Sequence, residues 1–295
     1  MEANKCRACP RKCGADREKN VGFCGGGGRM RIARAGLHPW EEPCLSYGGG
    51  AGTIFFSGCN LRCVYCQNSE ISHQGRGKEI DVSTLAREML NLRNQGAANI
   101  ELVTPSHYTE QIRETLLKVK EKLGIPVVYN SSGYDSVESL KRLEGLVDIY
   151  LPDMKYYSPK LSEKYSGAAD YFSVAFAALE EMYRQTGYAV IDGQGRMTGG
   201  VLTRHMVLPG SYHDSIAILE RLAKSYDVKR FAISLLNQYF PAYRAGEFPE
   251  LNRKLTTFEY KKVVNRAMEL GFEVGFLQER SSASEEYVPE FDYDR

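Results

Sequence analysis

The sequence predicts an α/β architecture, an open partial barrel of βα units with a small cysteine-rich module ahead of it. Three observations carry that reading. From Thr53 onward, short and nearly continuous apolar runs alternate with helical patterns, as expected of parallel strands covered on both faces. Cap and turn residues separate these runs at the spacing that βα units need. The cysteines fall into two groups, Cys6, Cys9, Cys13 and Cys24, then Cys59, Cys63 and Cys66. The chain of 295 residues, 43% of them apolar, can bury a sizeable core. A net charge of +1 exerts no pull towards nucleic acid or anionic lipid. The start, MEANKCRACPRKC, has no apolar signal core, and no run approaches the roughly 18 residues of a membrane span. A cytoplasmic location is therefore expected, where cysteines are metal ligands before they are disulfides.

Residues 1–28 read as a separate module. Their C-x2-C-x3-C-x10-C spacing comes without apolar periodicity, so the segment needs a staple to be ordered. Four thiolates fit a zinc or iron ion or a second iron–sulfur cluster; a disulfide pair or free thiols are the alternatives. Gly25 to Gly28 read as a flexible exit, because no Gly-Lys-Ser/Thr follows to make a phosphate loop. Residues 29–52 read as a connector with Pro39, Pro43 and a glycine-rich end, in which the lone Cys44 is a buried small residue. Strands are expected at 53–57, 100–104, 126–130, 147–151, 205–208 and 231–236, with 273–277 a candidate extra strand. Ile112, Leu116, Val119 and Leu123 form one helical stripe, closed by Gly124 and Pro126. Asp135 with Glu138 and Thr256 with Glu259 read as capping boxes, and Gly145 and Gly271 as C-terminal caps. Asp192-Gly193 reads as a hairpin turn placed over the barrel mouth, after a helix near 172–184. Six βα units are too few for a closed eight-stranded barrel. That favours an open partial barrel over 53–280, with an acidic tail at 281–295; a doubly wound sheet fits the same pattern.

The sharpest motif is GCNLRCVYCQN, directly after the first strand, with Cys59, Cys63 and Cys66 in a C-x3-C-x2-C array. Three thiolates leave one iron of a cubane cluster without a protein ligand, which opens it to a substrate. The same spacing is one helical face, but Gly58, Asn60 and Asn68 are poor helix formers. In parallel α/β sheets, chemistry collects at the carboxyl ends of the strands. Those ends carry Thr104, Ser106 and His107, then Asn130 and Ser131, then Asp153 and Lys155. Arg204 and His205 lie on the fifth run; Ser234, Asn237, Gln238 and Tyr239 lie on the sixth. Any one of these can be a loop cap, but their concentration at one end points to a site.

In FFSGCNLRCVYCQN the chain resembles the radical S-adenosylmethionine (SAM) superfamily, whose signature is C-x3-C-x2-C with an aromatic residue before the last cysteine, here Tyr65. The resemblance implies a partial (β/α)6, TIM-like barrel and a 4Fe-4S cluster on Cys59, Cys63 and Cys66. It implies SAM on the fourth iron, Tyr65 beside the adenine, and a reductant such as flavodoxin or ferredoxin. One electron then cleaves SAM to methionine and a 5′-deoxyadenosyl radical that abstracts hydrogen. This flank, and the C-x2-C-P-R-x-C-G start, are similar to glycyl-radical-enzyme activases such as pyruvate formate-lyase activating enzymes. A glycine of a partner protein is the substrate that this implies.

The activase Gly-Gly-Glu, which receives the SAM amino group, is replaced by Val103-Thr104-Pro105-Ser106-His107, so Thr104 or Ser106 is expected to make that contact. Asp-Thr-Asn-Gly becomes Asn130-Ser131-Ser132-Gly133, and Leu-Asp-x-Lys becomes Leu151-Pro152-Asp153-Met154-Lys155. Of two acids implied to hold a monovalent cation beside SAM, only Asp153 is kept. Val207-Leu208-Pro209-Gly210 resembles the segment that flanks adenine, which puts Leu208, with His205 just before it, in the cofactor set. These departures keep open a radical SAM enzyme acting on a small molecule, RNA or another protein site. A structural or redox metal-binding adaptor would explain the cysteines but not the polar strand ends.

Overall fold

In the computed structural model, which describes residues 5–277 and 291, the parallel sheet begins one strand pair later than the chain's first strand. Strand β1 spans Met30–His38, β2 Ala51–Phe56, β3 Lys78–Ile80, β4 Ile100–Val103 and β5 Val127–Ser131. They are followed by β6 at Ile149–Pro152, β7 at Val190–Ile191, β8 at Met197–Met206, β9 at Ala232–Leu236 and β10 at Gly275–Leu277. The helices are α1 (Ser69–Ser72), α2 (Val82–Asn94), α3 (Thr109–Leu123), α4 (Val137–Lys141), α5 (Pro159–Ser166), α6 (Tyr171–Thr186), α7 (Tyr212–Ser225) and α8 (Thr257–Leu270). The sheet order is β10-β9-β8-β6-β5-β4-β2-β1-β3, parallel from β2 to β10 and antiparallel at β1 and β3. Its two end strands are not paired, so the barrel stays open at the side. No helix among the described residues is long and apolar enough to cross a membrane.

Side chains alternate across each strand, and this alternation builds two cores. One face of the sheet packs under the helices, where the α3 stripe of Ile112, Leu116, Val119 and Leu123 is buried. Full burial of such a side chain contributes about 1.5–3 kcal/mol. The other face turns into the barrel, where Val128, Ile149, Leu151, Leu202 and Ala232 meet Cys44 and Leu45. The segment 39–46 thus plugs the amino end of the barrel; Met197 N donates to Cys44 O at 2.9 Å. The stretch expected as a connector is therefore largely structural, holding β1 and this plug.

Local signals decide several helix ends. Thr256 and Glu259 form the expected capping box, and Gly124 and Gly271 close α3 and α8 in the left-handed conformation. At α4 the cap is Ser136 rather than Asp135, because the Asp135 carboxylate is taken by Tyr129 at 3.0 Å and Ser131 at 2.6 Å. The 192–193 hairpin pairs β7 with β8, but it lies at the amino end of the barrel and not over the mouth. The reason is topological: it precedes a parallel strand, so it belongs at that strand's start. Gly25 to Gly28 do not form a loose exit, since Arg17 Nε donates to Gly26 O at 3.2 Å.

Candidate active site

The loop leaving β2 turns at Gly58, whose φ of +88° lies in the left-handed region. A side chain there would also collide with the Cys24 carbonyl, which accepts the Cys59 N–H at 3.0 Å. Only glycine lets the two cysteine groups meet. Beyond it, Cys59, Cys63 and Cys66 line one end of a cavity of about 770 Å³. Leu61 N–H donates to Cys59 Sγ at 3.4 Å, and Asn68 N–H reaches Cys66. Such a donor two residues on favours the thiolate form. Ser166 Oγ donates to Cys63 Sγ at 3.1 Å and lies 2.8 Å from Tyr156 Oη, which is 2.6 Å from Tyr65 Oη. Burial, then the neighbouring Cys63, push the Cys59 thiol up to about 12. A bound iron reverses that balance, because it takes the sulfur as thiolate. Three sulfurs, two with backbone donors and one with the Ser166 hydroxyl, on the wall of a large cavity, fit a cluster that keeps one iron open.

The remaining strands bring charge into the same cavity. Lys155 Nζ donates to Asp153 Oδ2 at 2.6 Å. Arg204 Nε donates to Asp153 Oδ1 at 3.1 Å, Nη1 to Glu41 Oε1 at 3.2 Å and Nη2 to Asn130 Oδ1 at 2.6 Å. Asn130 Nδ2 in turn donates to Glu101 Oε1 at 2.5 Å. Burial alone would raise the Asp153 carboxyl, but Lys155 and Arg204 hold it below its ordinary value. Lys155 is raised, because Asp153 outweighs the burial that opposes its charge. Burial and the adjacent Glu41 push Glu101 well above the carboxylate range, and they push Glu42 to about 7. Glu101 Oε2 has no donor as the carboxyls stand, so its contact with Glu41 requires a shared proton.

Of the residues singled out in the sequence, Thr104, Asn130, Ser131, Asp153 and Lys155 join the cysteines on the cavity wall. Thr104 does so at a φ of +59°, an uncommon and strained conformation for a β-branched residue. Five residues expected in the cofactor set are not on that wall, nor are Ser234, Asn237 and Tyr239. Tyr65 is 3% exposed and packs edge-on against Tyr156, Tyr165 and Tyr239 beneath the cysteine loop. Ser106 is buried beside Tyr129 and Asp135. His107 meets Ser57 O at 2.9 Å and braces the cysteine loop from below, with burial pushing it down to about 4. His205 points to the helix layer, where Nδ1 meets Met154 O at 2.6 Å, and Leu208 is buried in that layer too. The cause is register. The fifth parallel strand runs over Met197–Met206, so the alternation that sends Arg204 inward sends His205 outward.

Sequence reasoning named Arg204 among the polar strand residues without giving it a role, and missed Glu41, Glu42 and Glu101. An acid inside an apolar strand run, as in Ile-Glu-Leu-Val at 100–103, was the one available signal.

The N-terminal cysteines lie beside this site. Cys9 and Cys24 are buried, Cys6 is half-buried and Cys13 is exposed. Cys9 is within electrostatic reach of the other three thiols. Arg11 N–H serves Cys9, Ala15 N–H serves Cys13, and Gly26 N–H serves Cys24 at 3.3 Å, the same two-residue pattern as at Cys59. The Arg11 guanidinium docks the segment on the active-site loop, donating to Asn60 O at 2.9 Å, Ser166 O at 2.8 Å and Gly167 O.

A family model of the radical SAM superfamily matches residues 53–222. The chain belongs to the radical SAM superfamily. Membership implies a 4Fe-4S cluster and SAM as its cofactors. An uncharacterized protein of Methanocaldococcus jannaschii is 30% identical over 274 residues, 89% of this chain and 74% of that one. The pyruvate formate-lyase 1-activating enzyme of Escherichia coli K12 is 27% identical over 151 residues, 48% of this chain and 60% of the enzyme. A pyruvate formate-lyase-activating enzyme of Clostridium pasteurianum is 29% identical over 133 residues, 41% of this chain and 52% of the enzyme. Among solved structures, spore photoproduct lyase superposes with a TM-score of 0.50 at 12% identity, over 76% of this chain and 74% of the other. Streptococcus suis SuiB bound to SAM gives 0.50 at 13% identity, over 75% and 48%. These two support the partial-barrel fold alone.

Proposed function

We propose that this cavity binds and cleaves SAM and that a hydrogen atom is then taken from a backbone glycine of a partner protein. The observation that carries the reading is the meeting of Cys59, Cys63 and Cys66 with the Asp153–Lys155–Arg204 network in one cavity. When bound, a 4Fe-4S cluster with SAM supplies the 5′-deoxyadenosyl radical on which the superfamily's chemistry rests. The three thiolates would hold the cluster, and the Leu61 and Asn68 N–H groups favour the thiolate form of Cys59 and Cys66. Lys155 serves as the cation that meets the SAM carboxylate, oriented by Asp153. Arg204 bridges Asn130 and Asp153, the two positions between which the activase resemblance puts a monovalent cation. A fixed guanidinium thus supplies the charge that Asn130 no longer draws in. Similarity to two activases over about half of this chain supports the glycine substrate, and a flavodoxin or ferredoxin is the proposed electron source.

Anaerobically reconstituted protein with a reductant is expected to convert SAM to 5′-deoxyadenosine. Asp153→Asn and Lys155→Met should keep their iron but bind SAM more weakly. A charge-assisted hydrogen bond contributes about 1.5–3 kcal/mol, so the loss is about tenfold to a hundredfold. Normal SAM affinity in both variants would return the pair to a structural role.

Residues 1–28 are proposed to hold a second metal, zinc or iron–sulfur, on Cys6, Cys9, Cys13 and Cys24. Cys13→Ser, at the exposed ligand, is expected to lower the metal content of the full chain by one centre. SAM cleavage should weaken and persist, because Cys24 touches the Cys59 loop only through its backbone. Metal analysis showing the same content as the unaltered protein would remove this centre.

A further inference from the structure

We infer that the inner end of the cavity is a subsite for a cationic group of the substrate, an ammonium or guanidinium, with Glu42 as its carboxylate partner. The inference rests on the reading that this cavity is where hydrogen is abstracted. Charged and polar side chains crowd this end. His38 of β1, Glu41 and Glu42 of the plug, Asn130 of β5, Asp153 and Lys155 beyond β6 and Arg204 of β8 line it, with Glu101 of β4 behind Asn130 and Ser234 of β9 behind Glu42. Four of these groups are carboxyls and two are permanent cations. Both cations are already engaged, Lys155 with Asp153 and Arg204 with Asp153, Glu41 and Asn130.

Glu42 is left over. It is 6% exposed, it lines the cavity, and among the described residues it makes no ion pair. Two further polar groups stand beside these acids, the Ser234 hydroxyl next to Glu42 and the Glu101 carboxyl next to Glu41. Both residues are fully buried. Buried charges are normally paired, so an unpaired acid on the cavity wall describes a place that N–H donors complete. The cavity wall also carries the apolar side chains of Phe55, Val103, Leu236 and Phe276. A hydrated inorganic cation gains nothing from such a wall, whereas an aliphatic stem with a cationic tip fits both parts. On binding, the Glu42 carboxyl gives its proton to solvent and its carboxylate pairs with the incoming cation.

The test uses the full chain with its cluster, without SAM, and titrates n-butylammonium, n-butylguanidinium, n-butanol and potassium ion by calorimetry. Both organic cations are expected to bind, about tenfold more tightly at pH 8 than at pH 6, because burial holds the Glu42 carboxyl near 7. Burial lowers the ordinary value of His38, which disfavours a competing positive charge there. Glu42→Gln should remove the pH dependence and weaken binding at pH 8 about tenfold or more, while folding as the unaltered chain does by circular dichroism. Binding of n-butanol or potassium as tight as that of the organic cations overturns the proposal. So does an unchanged pH profile in Glu42→Gln, or no binding of either organic cation. SAM cleavage assayed in parallel separates the two readings. Cation binding in a protein that cannot cleave SAM would sink the proposed chemistry and leave the subsite standing.

Discussion

Cys63→Ala protein, reconstituted anaerobically and reduced, is expected to form no 5′-deoxyadenosine. Cys63 is the most deeply buried of the three active-site thiols, and it is the end of the hydroxyl chain Tyr65–Tyr156–Ser166. Alanine removes one of only three protein ligands, leaving an iron to water and the Ser166 hydroxyl without its acceptor. Cys44 offers no replacement, since it lies in the plug at the other end of the barrel. Iron content should fall together with activity. Chromatography of the products and iron analysis read both, and cleavage at the unaltered rate would remove the assignment of this loop as the cluster site.

Arg204→Leu is expected to destabilise the fold by about 3–5 kcal/mol at neutral pH, the usual cost of removing one partner from a buried ionic network. The guanidinium ties β8 to β5, to Asp153 beyond β6 and to the plug through Glu41. Without it Glu41 has no cation, and Asp153 keeps only Lys155. The sign with pH follows from Asp153. Its folded value is lowered, so its contribution is present above the ordinary carboxylate range and is lost as pH falls through the lowered value. The deficit of the variant should therefore be larger at pH 8 than in acid. Glu42 works in the opposite sense, since its raised value makes folding less favourable as pH rises through about 7. Losing Arg204 should sharpen that decline. Arg204→Lys, which can restore one contact but not three, should fall between the two proteins. Denaturant midpoints at pH 3, 5.5 and 8 measure this, the lowest reading the Asp153 effect and the upper two the Glu42 effect, and equal midpoints for the unaltered and Arg204→Leu proteins would show that the network carries no stability.

The sequence by itself determined whatever depends on neighbours along the chain. The loop at Gly58–Asn68 announces its chemistry because its three sulfurs and their backbone donors all lie within it. The parallel strands were legible as apolar runs, the Thr256–Glu259 box and the Gly124 and Gly271 caps as short-range patterns. Strand ends identified Thr104, Asn130, Ser131, Asp153 and Lys155 as cavity residues, because such ends converge in this fold whatever their loops do. Tertiary structure alone decided which face each strand residue takes and what reaches in from outside the βα units. His205 and Arg204 are adjacent in the chain, yet a strand start misplaced by a few residues exchanges which one appears to face the site. Glu41 and Glu42 enter the barrel from a plug whose contacts with Arg204 and Ser234 span more than 150 residues. No periodicity records such a contact. Burial among other charges, which only the closed barrel provides, is what turns an ordinary surface-type Glu-Glu pair into part of a reactive cavity.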